Sequence, residues 1–168
     1  PVMPTLQDLT AKYHQSSTKT SNNISQVLKL QGFNPLIAST VSKAPVNLDI
    51  TQKSPSEVEI KQTTTASIPA ITEQWTHDWE WREFKDSFLG RVRSRSRWTK
   101  AGEVEEGFLQ ERLEKGAEVV EAEVENVEGK WVARQVWGFE GGDFVRRVVT
   151  SNKEGERVET RLVYEVQT

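Results

Sequence analysis

Four side chains are candidates for moving a proton: Tyr13, His14, His77 and Tyr164. A catalyst built on them would hold a reactive hydrophobic intermediate, such as a polyketide or terpenoid precursor, in a near-attack shape and shift one proton, as a cyclase or isomerase does. No other enzymatic signature is present. The two histidines lie too far apart in the chain for a metal-ligand spacing. Cysteine is absent, which removes thiolate catalysis, thiolate metal sites and disulfides together. Gly141-Gly142 marks a turn rather than a phosphate-binding loop. These residues ask for no metal and no cofactor, and binding leads over catalysis.

Other residues suit recognition. Arg91, Arg93, Arg95 and Arg97 alternate with Val92, Ser94, Ser96 and Trp98, and in a strand the two sets take opposite faces. The arginines make a solvated face opposite a row such as Glu121, Glu123 and Glu125. The hydroxyls and the indole then make a cavity wall. Six tryptophans, Trp75 and Trp131 among them, offer flat apolar rings with one donor each. Arg146 and Arg147 are adjacent, so one of them faces inward if their segment is a strand. An inward arginine needs a buried acid or a ligand anion. The last strand turns Val158, Thr160, Leu162, Tyr164 and Val166 inward. The candidate ligand-binding set is Ser94, Ser96, Trp98, Trp75, Trp131, Arg146, Leu162 and Tyr164.

The elements that must position these residues are mostly strands. Pro1–Leu9 reads as a loose leader and Thr10–Thr20 as a first strand. Ser21 or Asn22 caps a helix with the stripe Ile24, Val27, Leu28, and Gly32 ends it. Asn34-Pro35 opens a second helix with the stripe Leu36, Ile37, Val41, which Ala44-Pro45 stops. From Val46 the period switches to two. A hairpin over Val46–Thr65 is followed by strands at Pro69–His77, Trp79–Asp86, Gly90–Lys100, Gly107–Gly116, Ala117–Asn126, Lys130–Phe139, Asp143–Ser151 and Glu156–Gln167. Glycine turns punctuate them. A β-protein with one early helix pair points to a barrel of about ten antiparallel strands, with the helices at 22–44 as its lid.

Length and charge bound the rest. The 168 residues suffice for one domain, 1–168, with a real core. The apolar fraction of 35% is low, which suits a barrel that encloses a cavity rather than a solid core. A net charge of −3 supplies no basic field for nucleic acid. No apolar run has the length of a membrane span and no signal-peptide pattern opens the chain, so neither nucleic acid nor stable membrane insertion is expected. The absence of cysteine fits a reducing, cytoplasmic setting.

From about Leu9 to Lys100 the chain resembles the intracellular fatty-acid-binding protein family of the lipocalin-like (calycin) group. The likeness rests on Lys12-Tyr13-His14-Gln15-Ser16-Ser17, on the helix pair, and on the hairpin with its Glu59-Ile60-Lys61-Gln62-Thr63-Thr64 centre. Gly90-Arg91-Val92-Arg93-Ser94 and the repeated Lys-Gly and Glu-Gly turns agree. The resemblance implies a closed ten-stranded up-and-down barrel with a two-helix lid between the first and second strands, and an internal cavity for a lipid or other hydrophobic molecule. Two departures stand out. The family's carboxylate anchor is an Arg-x-Tyr on the last strand, whereas Leu162 precedes Tyr164 here and Arg161 lies on the opposite face. The chain is also longer than the family needs, and an added C-terminal hairpin is the expected home of the excess. The expected function is to bind a small hydrophobic molecule, lipid or polyketide- or terpenoid-like; a lipocalin-like cyclase or isomerase is the alternative.

Overall fold

The computed structural model describes residues 2–64 and 68–168. Pro1 of the expected leader and Thr65 at the end of the expected hairpin lie outside them. Ten strands form one antiparallel sheet: β1 (Ala11–Gln15), β2 (Asn47–Ser54), β3 (Glu57–Thr63), β4 (Ile71–Thr76), β5 (Arg82–Asp86), β6 (Gly90–Lys100), β7 (Glu118–Asn126), β8 (Trp131–Glu140), β9 (Asp143–Asn152) and β10 (Arg157–Val166). The order is β4-β3-β2-β1-β10-β9-β8-β7-β6-β5, with β10 closing back onto β1. Two helices, α1 (Ile24–Leu30) and α2 (Pro35–Ser42), stand between β1 and β2.

Three expectations are corrected. The barrel is not sealed, because β4 and β5 are the two ends of the sheet and do not pair. β5 covers only Gly90–Ser94 of β6. Beyond that point β6 is met by three bonds among the described residues: Ser96 Oγ donates to the Thr76 carbonyl of β4 at 3.2 Å, Trp79 N, just past β4, donates to the Ser96 carbonyl at 2.8 Å, and Trp98 Nε1 donates to the Pro55 carbonyl in the β2–β3 turn at 2.9 Å. Second, Gly107–Gly116 is not a strand. It belongs to a 101–117 segment with a 3-10 turn (Ala101–Glu103) and a single helical turn, α3 (Gly107–Gln110). Third, no hairpin is appended at the C-terminus, since the last strand pairs with the first.

Alternation explains the two faces. Arg93, Arg95 and Arg97 point outward and meet Glu125, Glu123 and Glu121 across the β6–β7 ladder. Arg95–Glu123 lies at 3.3 Å and Arg97–Glu121 at 2.7 Å; Arg93 also pairs with Glu125. Trp79 and Trp81, two of the candidate pocket rings, lie outside on this row. The Arg95 guanidinium sits 4.0 Å from the centre of one ring and 4.4 Å from the other.

Inward residues fill the end of the barrel away from the helices. Leu9, Tyr13, Leu48, Ile50, Ile60, Trp137 and Phe144 are completely or almost completely buried there. β7, β8 and β9 are apolar on the outer face too. Val119, Val136 and Val149 bury against Ala101, Val104 and Leu109 of the 101–117 segment. Outward-facing Arg147 is buried beneath it, bonded to Glu140 at 3.0 Å and Glu111 at 3.1 Å.

Candidate ligand cavity

The lid forms for local reasons. Asn34 Oδ1 accepts from Ile37 N at 2.9 Å and Pro35 occupies the first turn, so α2 starts where expected. Gly32, at φ +100°, makes the left-handed turn between the helices. The start of α1 differs from expectation. Asn23 precedes it without capping it; its side chain instead donates to the Glu159 carbonyl at 2.7 Å and accepts from Thr160 Oγ1 at 3.1 Å. The lid is thereby moored to β10. Ile24, Val27 and Leu28 of α1 and Val41 of α2 turn toward the barrel interior. Leu36 and Ile37 do not: they are exposed, and Ala38 is the buried residue of α2.

Beneath the helices lies a cavity of about 290 Å³. Most of its wall is apolar, from the lid, from Ile71, Phe84, Phe88 and Leu89, and from Trp75, Val124, Trp131, Ala133, Val148 and Leu162. A connected polar cluster interrupts it. Arg146 on β9 donates from both terminal nitrogens to Glu73 on β4, at 2.8 and 3.2 Å, and from Nε to Gln135 Oε1 at 3.1 Å. Gln135 Oε1 also accepts from Trp137 Nε1 at 2.7 Å, and Glu73 Oε1 from Trp75 Nε1 at 3.1 Å. Burial works against the Arg146 charge, but Glu73 outweighs it and holds the guanidinium protonated. Burial raises the Tyr164 hydroxyl above its ordinary range, with Arg146 pulling the other way.

Of the candidate ligand-binding residues, Ser94, Trp75, Trp131, Arg146, Leu162 and Tyr164 line this cavity. Ser96 and Trp98 face inward on the same strand but lie outside the lining, at the packed end. Ser96 is wholly buried against His77, 2.7 Å from Nδ1. The expected serine and tryptophan wall therefore reduces to Ser94.

The proton-transfer candidates are dispersed. Tyr164 reaches the cavity; the other three do not. Tyr13 donates to the Leu9 carbonyl at 2.8 Å within the core. His14 is half exposed on the outside, 3.4 Å from Glu165. His77 packs edge-on to Trp98 and Trp137, and burial pushes its pKa down to about 4, so it is neutral at physiological pH.

Glu73 is the site residue that the sequence reading passed over. Its signal was the Ile71, Glu73, Trp75 alternation, which sets a carboxylate on the same face as two large hydrophobes. It is the partly buried acid that answers the inward arginine. No group of metal-binding side chains occurs among the described residues, and no helix there is long and apolar enough to cross a membrane.

No model of a known protein family matches the chain, and no curated protein matches it in sequence. Solved structures match it in fold. The apo form of lipid binding protein 8 from Caenorhabditis elegans superposes with a TM-score of 0.68 at 11% identity, covering 94% of each chain. The zebrafish ileal bile acid-binding protein complexed with cholic acid gives 0.59 at 12% identity over 94% of this chain and 97% of that one. As-p18, described as an extracellular fatty acid binding protein, gives 0.63 at 13% identity over 99% and 100%. The likeness is one of fold, and it occurs on a protein described as extracellular, so the fold sets no compartment.

Proposed function

We propose that this chain, which has the fold of the fatty-acid-binding proteins, binds a small hydrophobic molecule inside the barrel beneath the α1–α2 pair. One observation carries the reading: a largely apolar cavity with a connected cluster of polar groups around Arg146, in a barrel whose other end is filled by buried side chains. That is the construction of a site that buries an apolar body and orients one polar end. The cholic acid complex among the similar structures supports it, as do the names of the lipid- and fatty-acid-binding proteins. Burial supplies the affinity at about 25 cal/mol per Å² of apolar surface. At about 290 Å³ the cavity sits near the lower end of the usual range of roughly 300–1,000 Å³, so one compact ligand fits.

Trp75 and Trp131 both line the cavity, so an apolar ligand should quench indole fluorescence. Trp131→Phe should remove a large share of that response. Native mass spectrometry of the purified protein should also find a co-purified hydrophobic molecule. An unchanged fluorescence titration with a series of long-chain alcohols and acids, together with a bare protein mass, would remove the proposal.

A further inference from the structure

We propose, building on that reading, that the cavity selects an uncharged ligand ending in a hydroxyl or carbonyl and discriminates against carboxylates, because Glu73 already occupies the anion position opposite Arg146. The guanidinium meets Glu73 with both terminal nitrogens and Gln135 with Nε. This is the bidentate arrangement a bound carboxylate would adopt. A carboxylate ligand can take that place only by displacing Glu73. The displaced group would then stay inside the barrel as a second negative charge, with the Trp75 indole as its remaining neighbouring donor.

The charge of the lining argues the same way. Arg146 is the one cationic residue among the described lining residues, which also include two carboxylates, Glu73 and Asp86. Asp86 Oδ1 accepts from Phe88 N and Leu89 N, both at 2.7 Å, and so belongs to the turn. An anion entering the cavity therefore meets no unneutralised cation.

A neutral polar end displaces no charge, and one unpaired hydroxyl stands in the cavity wall. Thr150 lies in the lining, on the same inward row of β9 as Arg146, and is fully buried. Its Oγ1 has no hydrogen-bond partner among the described residues. Buried hydroxyls rarely stay unpaired, and this one can both donate to a carbonyl and accept from an alcohol.

The test compares two probes with the same tail, dodecan-1-ol and dodecanoate, titrated at neutral pH and followed by tryptophan fluorescence. The wild-type protein should bind the alcohol at least tenfold more tightly. Glu73→Gln keeps an acceptor for Trp75 and frees the Arg146 charge, so the dodecanoate-to-dodecanol affinity ratio should rise at least tenfold. In the double variant Glu73→Gln/Arg146→Gln the ratio should fall back. Circular dichroism checks that each variant is folded, and if Glu73→Gln is not, the wild-type ratio alone decides. Equal or tighter wild-type binding of dodecanoate, or a ratio unmoved by Glu73→Gln, overturns the selectivity and leaves the binding function standing. Binding of neither probe overturns the selectivity, and with no response to the wider series and a bare native mass it overturns the binding function as well.

Discussion

His77 shows how a single buried side chain ties stability to acidity. Its imidazole loses water on folding, and burial drops its pKa from 6.5 to about 4, against a smaller opposing pull from Asp78. A proton therefore binds the unfolded chain more readily than the folded one. Above about pH 6.5 both forms are neutral and the group costs nothing. Between about pH 6.5 and 4 the unfolded state gains protons first, and stability should fall by up to about 1.4 kcal/mol per pH unit. Urea midpoints taken across this range should show the decline, and His77→Phe should flatten it if the ring packing is kept. The loss of Ser96 Oγ's partner at 2.7 Å should also cost the variant some stability at neutral pH. A midpoint equally acid-sensitive in the variant would assign the effect to the carboxylates.

At the scale of elements, the lid and the 101–117 segment behave differently. α1 and α2 span seven and eight residues and bury one residue each, Leu28 and Ala38, so their amides should exchange faster than those of β2 and β3. A lid more protected than that hairpin would contradict its role as the movable cover. The 101–117 segment is a second core on the outside of the barrel. Leu109 is fully buried within it, and Leu109→Ala should destabilise by about 2–5 kcal/mol in chemical denaturation. Here the sequence was only partly legible. Strict alternation placed the Arg91–Arg97 face outward, and Asn34-Pro35 located α2. The helical turn at Gly107–Gln110 was too short to show a period. Its mark lay instead on the strands it covers: Val119-Val120, Val136-Trp137 and Val148-Val149 are apolar on both faces, as two-sided burial demands. Trp98 taught a different limit. A period of two tells which side a residue faces but not its height in the barrel, so an inward Ser96 and Trp98 read as cavity wall although they stand at the packed end.

For the molecule as a whole, what matters is that one end is filled and the other hollow. Ser94, inward and at cavity height, is the residue at which added volume should compete with a ligand. Ser94→Trp should abolish ligand-dependent fluorescence change while keeping a cooperative unfolding transition, whereas Ser96→Trp should disrupt the seam contacts to His77 and Thr76 and lower the denaturation midpoint. Equal damage to the fold by both substitutions would contradict the difference in height. The seam itself gives the interior ion pair a mechanical meaning. β4 has a ladder on one side alone, and on the other it meets β6 near Thr76. Glu73, midway along it, is tied to Arg146 on a strand beyond β10 in the sheet order, so the link runs through the lumen as a crossbar. That margin of the sheet is thus braced from inside, and a substitution that removes the crossbar should let β4 move as well as open the cavity wall.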